Sequence, residues 1–262
     1  YLAATDRNGR FVRDLTRPQV TVTEGGKPQE IERFEWVKVL PLRLGVVLDA
    51  SGSMSSSLVE AQNAGAAFLQ GLMKPGDQAF LQSFNEEPTL HLPLTDDVGA
   101  LVFALRGIQT HGGTALHDAV VQALRQLAGT KGQRALVVLS DGDDNSSAIT
   151  FQNAVEYARR SGTVVFTIGL DLPSTGFGVR NKLQELATST GGKAFFAGKA
   201  SQLQTIYADI EEELRSRYLI VYQRSGACAA DVEERAACPV EVKLPPGMKA
   251  RVTRVVGDKP PL

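Results

Sequence analysis

An unbroken apolar run, Leu44-Gly45-Val46-Val47-Leu48, leads into Asp49 and then into a hydroxyl-rich loop, Ala50-Ser51-Gly52-Ser53-Met54-Ser55. A strand that is apolar along its whole length is buried on both faces, so the sheet containing it must be covered from two sides. The pattern recurs down the chain. Strands are predicted over 78–84, 134–139, 164–169 and 193–196, with a short edge strand over 89–92. Helices are predicted between them over 57–73, 98–106, 116–127, 150–160 and 180–189. The first of these puts Ala61, Ala64, Phe68 and Leu72 on one face. Thr150 is placed to cap its helix and Ser161-Gly162 to stop it. Leu203, Ile206, Tyr207, Ile210 and Leu214 mark a closing amphipathic helix. Alternating strand and helix predict an α/β fold, a Rossmann-like, doubly wound, mostly parallel sheet.

Such sheets bind ligands in the crevice at the carboxyl ends of their strands. Three short motifs fall there. Asp49, Ser51 and Ser53 form a D-x-S-x-S pattern whose oxygens can converge on a hard divalent cation. Thr114 sits in Gly112-Gly113-Thr114-Ala115-Leu116. Asp141 sits in Ser140-Asp141-Gly142-Asp143, directly after an apolar strand. On these residues the chain resembles a von Willebrand factor type A domain, the fold shared with integrin inserted domains, from about residue 42 to about residue 215. The resemblance implies that Asp49, Ser51, Ser53, Thr114 and Asp141 are the ligands of a metal-ion-dependent adhesion site. Ser51, Ser53 and Thr114 would supply neutral oxygens, and the two aspartates would bind directly or through water. It also implies a protein partner whose exposed Asp or Glu completes the shell of the ion. Two carboxylates and a compact hydroxyl shell suit Mg²⁺ or Mn²⁺ better than Ca²⁺, which takes more oxygens. Gly52 and Gly112-Gly113 fit loops that approach an ion closely.

The two ends show alternation without a helical period. Strands are expected over 2–5 and 10–13 around Asn8-Gly9, a tight-hairpin signal, and over 19–23 and 29–37 around Glu24-Gly25-Gly26-Lys27. Further strands are expected over 218–222, 240–244 and 249–256. Neither end alone can bury a face, but together they make a small sandwich. Residues 1–41 and 217–262 are therefore read as one discontinuous β-sandwich with the A domain, 42–216, inserted in it. Asn8-Gly9-Arg10-Phe11-Val12 and Glu24-Gly25-Gly26-Lys27-Pro28-Gln29 make the arrangement similar to secreted bacterial proteins of the A-domain-related type.

The two cysteines, Cys228 and Cys238, lie between the runs 218–222 and 239–244. If those runs pair as a hairpin, the cysteines fall at its loop end and can form a disulfide, which implies an extracytoplasmic home. The alternative is a pair of reduced thiols. Two thiols without a nearby His are too few for zinc. Position 1 is Tyr and not Met, which fits a cleaved signal peptide or a trimmed chain. A formal net charge of −1 argues against nucleic acid or a membrane surface as an electrostatic partner. No apolar run approaches the ~18–20 residues of a membrane span.

Enzyme classes lack their residues. A phosphoryl-accepting aspartate of the haloacid-dehalogenase kind needs a second carboxylate two positions on, where this chain has Ser51. The surroundings of Ser53 lack G-x-S-x-G, and no phosphate-binding glycine loop follows a strand. His111 and His117 read as rim or helix-surface groups, and Asp143 and Asp144 as a solvated loop and cap. Two functions remain: a metal-dependent binding module, and an architectural subunit in which an ion only stabilises the loops.

Overall fold

The structure, a computed structural model, describes residues 1–37, 40–172, 177–223 and 238–253. The chain divides into two compact units, residues 40–211 and residues 1–39 with 212–262.

In the larger unit a six-stranded sheet runs in the order β10 (Ala194–Ala197), β9 (Val164–Leu170), β8 (Gln133–Ser140), β5 (Leu42–Asp49), β6 (Gln78–Phe84), β7 (Pro88–Thr95). All neighbours are parallel except β7, which returns antiparallel along the edge. β9 is buried at every position, and β5 and β8 at all but one. Gly45 lets the central strands close up: a Cβ there would stand 2.5 Å from Phe80 Cζ and 2.6 Å from Leu136 Cδ1.

Helices α3 (Leu116–Leu127), α4 (Phe151–Ser161) and α5 (Phe177–Thr188) contribute to one apolar layer. Leu116, Ala119, Val120, Ala123, Leu124 and Leu127 of α3, at helical spacing, meet Val47, Phe80, Leu136 and Val138 of the sheet there. Elsewhere Phe68 of α1 (Leu58–Leu72) stacks on Tyr207 of α6 (Leu203–Arg215), centroids 4.6 Å apart. α2 (Val98–Arg106) packs on α1 and is capped by Asp97, which accepts from Ala100 N at 2.9 Å. Thr150 caps α4, and Gly162 ends it at φ +65°. From β5 the chain moves to β6 on one side and later to β8 on the other. The strand order therefore reverses between β5 and β8, and Asp49 and Asp141 stand at that reversal.

The smaller unit holds two antiparallel sheets. One runs β13 (Lys249–Val252), β1 (Leu2–Thr5), β11 (Arg217–Tyr222), β4 (Ile31–Val37). The other runs β12 (Val240–Lys243), β2 (Thr21–Glu24), β3 (Lys27–Gln29). Residues of both sheets share one apolar cluster that includes Leu2, Val22, Ile31 and Tyr218. Gly25 and Gly26, at φ +56° and +77°, make the tight β2–β3 turn.

Two expectations fail in this unit. Residues 10–13 form no strand beyond a single bridge between Thr5 and Phe11. Tyr218 holds that segment instead: its hydroxyl accepts from Leu15 N at 2.9 Å and donates to Val12 O at 3.2 Å. The runs 218–222 and 239–244 do not pair as a hairpin. β11 lies in one sheet between β1 and β4, while β12 pairs with β2 in the other. The hairpin argument for joining Cys228 to Cys238 is thereby lost. Cys228 lies outside the described residues, and among those described no cysteine is free.

Candidate metal site

Asp49 is the last residue of β5 and is fully buried. Ser51 N donates to its Oδ1 at 2.8 Å, and Ser140 Oγ, at the end of β8, donates to its Oδ2 at 2.6 Å. Each carboxylate oxygen has two lone pairs, so these donors orient Asp49 and still leave acceptor sites for an ion or its water. The chain then makes a short 3-10 turn, Gly52–Ser56, before α1. This turn folds Ser53 back beside Ser51, with Oγ–Oγ 3.0 Å. Ser53 Oγ in turn donates to Asp141 Oδ1 at 2.7 Å. Asp141 follows directly on β8, so two neighbouring strands deliver the two carboxylates.

Thr114 arrives on the loop between α2 and α3. Gly52 N donates to Gly112 O at 3.1 Å and His111 N to Ala50 O at 2.9 Å, which fastens this loop to the one after β5. Gly112 has φ +70°. Thr114 is buried at 4% exposure, and a Cβ on Gly142 would stand 3.8 Å from its Oγ1. Its backbone is tied to the loop after β8, where Asn145 Oδ1 accepts from Thr114 N at 2.9 Å. All five expected ligands thus stand at the carboxyl end of the sheet. Ser53 is in hydrogen-bond range of both Ser51 and Asp141, Asp49 is joined through Ser51 N and Ser140, and Thr114 through Gly112 and Asn145.

The electrostatics favour a cation. Burial pushes the Asp49 carboxyl above its ordinary value, bonds from Ser140 and Ser51 oppose the rise, and the charge of Asp141 adds to it. Burial raises Asp141 as well, Ser53 opposes this, and Asp171 adds to it. A divalent ion among these oxygens would offset both penalties. Among the described residues no three His, Cys, Asp or Glu cluster as a cation site. The donor set is one of hydroxyls and carboxylates, which suits a hard ion.

A family model for the von Willebrand factor type A domain matches residues 44–209. The chain belongs to the von Willebrand factor type A domain family. Inter-alpha-trypsin inhibitor heavy chain H4 of Bos taurus is 26% identical over 207 residues, 71% of this chain and 22% of that protein. The chain thus spans about a fifth of the curated relatives it matches, 22% for the Homo sapiens protein as well. Among solved structures, the vWF domain of the type V pili tip protein Mfa5 from Porphyromonas gingivalis aligns with a TM-score of 0.59 at 16% identity. That alignment covers 73% of this chain and 99% of that one. Proximal thread matrix protein 1 from the mussel byssus, solved with a zinc-occupied MIDAS motif, aligns with a TM-score of 0.62 at 18% identity, covering 73% and 50%. At these identities the likeness is one of fold.

Two rim residues of the A domain stand otherwise than the sequence implies. His117 is 9% exposed; its ring lies beside Phe151, with Nδ1 3.2 Å from Ile149 O and 3.4 Å from Asp144 Oδ2. Asp144, its side chain 8% exposed, accepts from His117 N at 2.9 Å and from Ser147 Oγ at 2.6 Å, so it fastens the start of α3. Asp143 is exposed and pairs with Lys182 at 2.8 Å. His111 is exposed, its Nε2 2.6 Å from Asn85 Nδ2. Sequence reasoning missed the supporting groups Ser140, Asn145 and Asn85. Ser140 carried a signal, since it is a hydroxyl next to Asp141 at the end of an apolar strand. The contacts that tie Asn145 to Thr114 and Asn85 to His111 span 31 and 26 residues, so the local sequence pattern does not show them.

Proposed function

We propose that this A domain is a metal-ion-dependent protein-binding module. Asp49, Ser51, Ser53, Thr114 and Asp141 would hold Mg²⁺ or Mn²⁺, and an Asp or Glu exposed on the partner would complete the coordination. The reading is carried by the run of oxygens Ser51–Ser53–Asp141, at 3.0 and 2.7 Å, beside buried Asp49. Two carboxylates balance a divalent ion only formally, and an ion with exchangeable water takes a further carboxylate readily. The ion acts here by joining two proteins, and the reading assigns no catalytic residue. Zinc at this motif in the mussel protein puts Zn²⁺ in the same titration series.

An extracytoplasmic home belongs to the proposal. It is supported by the likeness to a pilus-tip domain, and a Cys228–Cys238 bridge is part of the same proposal. Among the described residues no helix is long and apolar enough to cross a membrane. Capture of extracellular proteins on the immobilised chain, with and without chelator and with Asp49→Ala, tests the reading. Capture that needs both the ion and Asp49 supports it. Capture indifferent to both, with the ion changing only the melting temperature, favours the architectural reading.

A further inference from the structure

Thr114 is the one expected ligand whose own side chain has no hydrogen-bond partner among the described residues. It follows two glycines, so local geometry alone gives its hydroxyl no fixed place. Its backbone is held from the loop that also carries Asp141. Thr114 N donates to Asn145 Oδ1 at 2.9 Å, while Asn145 N and Ser146 N donate to Thr114 O at 3.0 and 3.2 Å. Ser146 Oγ donates to the same Asn145 Oδ1 at 2.7 Å. Two donors converge on that atom, so it is the amide oxygen and the NH₂ faces away. Gly113 makes the approach possible: a Cβ there would lie 2.5 Å from Ser146 Oγ and 2.7 Å from Asn145 Oδ1.

We infer that Asn145 is a positioning residue for the ion, its side-chain carbonyl locking Thr114 to the Asp141 loop so that hydroxyl and carboxylate reach one cation together. This inference rests on the metal reading above. Partners behind a first ligand usually change metal affinity by about 10–100-fold when they are removed. Only the carbonyl is used, so Asn145→Asp keeps the acceptor and Asn145→Ala deletes it. The backbone bonds of residues 145 and 146 survive in both variants.

The test is calorimetric titration of the native chain and both variants with Mn²⁺ alone, alongside melting temperatures in chelator. Asn145→Ala is expected to bind about tenfold or more weaker, with its chelated melting temperature lowered by no more than the several degrees that one backbone donor left without its acceptor accounts for. Asn145→Asp is expected to bind at native strength or tighter. Native-strength binding by Asn145→Ala overturns the inference and leaves the metal reading standing. So does failure of Asn145→Asp to restore binding. A large fall in the chelated melting temperature of Asn145→Ala overturns it too, because the loss is then one of fold. If the native chain binds no Mn²⁺, the metal reading falls first and takes the inference with it.

Discussion

Ser140→Ala removes the single hydroxyl that reaches Asp49 from β8. The bond is 2.6 Å long, Asp49 is fully buried and Ser140 is 1% exposed, so bulk water has little access to take its place. A hydrogen bond to a charged group contributes about 1.5–3 kcal/mol. The variant should lose about that much stability at pH 7 in chelator. Oδ1 keeps its bond from Ser51 N, so the loop should stay folded while the carboxylate gains freedom to rotate. Mn²⁺ affinity should then fall about 10–100-fold, the range for removing a group that orients a ligand. The stability assay should follow helical ellipticity in urea. Helices α1–α5 all lie in the larger unit, whereas Trp36, the single tryptophan, lies in β4 of the other. Mn²⁺ binding within twofold of native, together with a stability loss below about 0.5 kcal/mol, would refute the claim that Ser140 holds Asp49 in place.

Three further outcomes are expected. Thr114→Ala should weaken Mn²⁺ binding by about an order of magnitude while barely moving the chelated melting temperature, because its hydroxyl has no hydrogen-bond partner among the described residues; a collapse in melting temperature would make Thr114 structural. The buried site also sets a pH dependence. Asp49 is raised in the folded state, so above about pH 4 the native chain keeps a proton that the unfolded chain has released. In chelator, stability relative to Asp49→Asn should therefore fall as pH rises through that window and recover with saturating Mg²⁺; a native-minus-variant urea midpoint that rises with pH would contradict this. Finally, chain made in an oxidising compartment should weigh two hydrogens less than the reduced chain, and thiols titrating at both cysteines would remove the proposed bridge.

How much of this was legible follows the range of the interactions. The apolar run into Asp49 is a local signal, and so are the spacing of α3 and the stop at Gly162; each matches an element of the fold. The residue pattern also placed Asp49, Ser51, Ser53 and Asp141 at strand ends, where strand–helix alternation puts the crevice, whereas Thr114 lies on a loop between two helices and its role was implied by the family resemblance. What stayed hidden depends on distant pairing. β11 and β12 read as neighbours along the chain, but they belong to different sheets, each taking a strand from the first 40 residues. Residues 10–13 follow a strong turn signal, yet the Tyr218 hydroxyl some 200 residues later decides their course. His117 and Asp144 are polar residues that look solvated until the His117 backbone N–H is seen to donate to the buried Asp144 carboxylate from a distant loop.

The account stands most directly on where an ion sits. Anomalous diffraction from crystals soaked in Mn²⁺ locates it without reference to a partner or an assay. A single peak bonded to Ser51 Oγ and Ser53 Oγ at roughly 2.0–2.3 Å, with Asp49, Thr114 and Asp141 in its first or water-bridged shell, is the predicted result. Strong anomalous density elsewhere on the chain, with none between Ser51, Ser53 and Asp141, would contradict it.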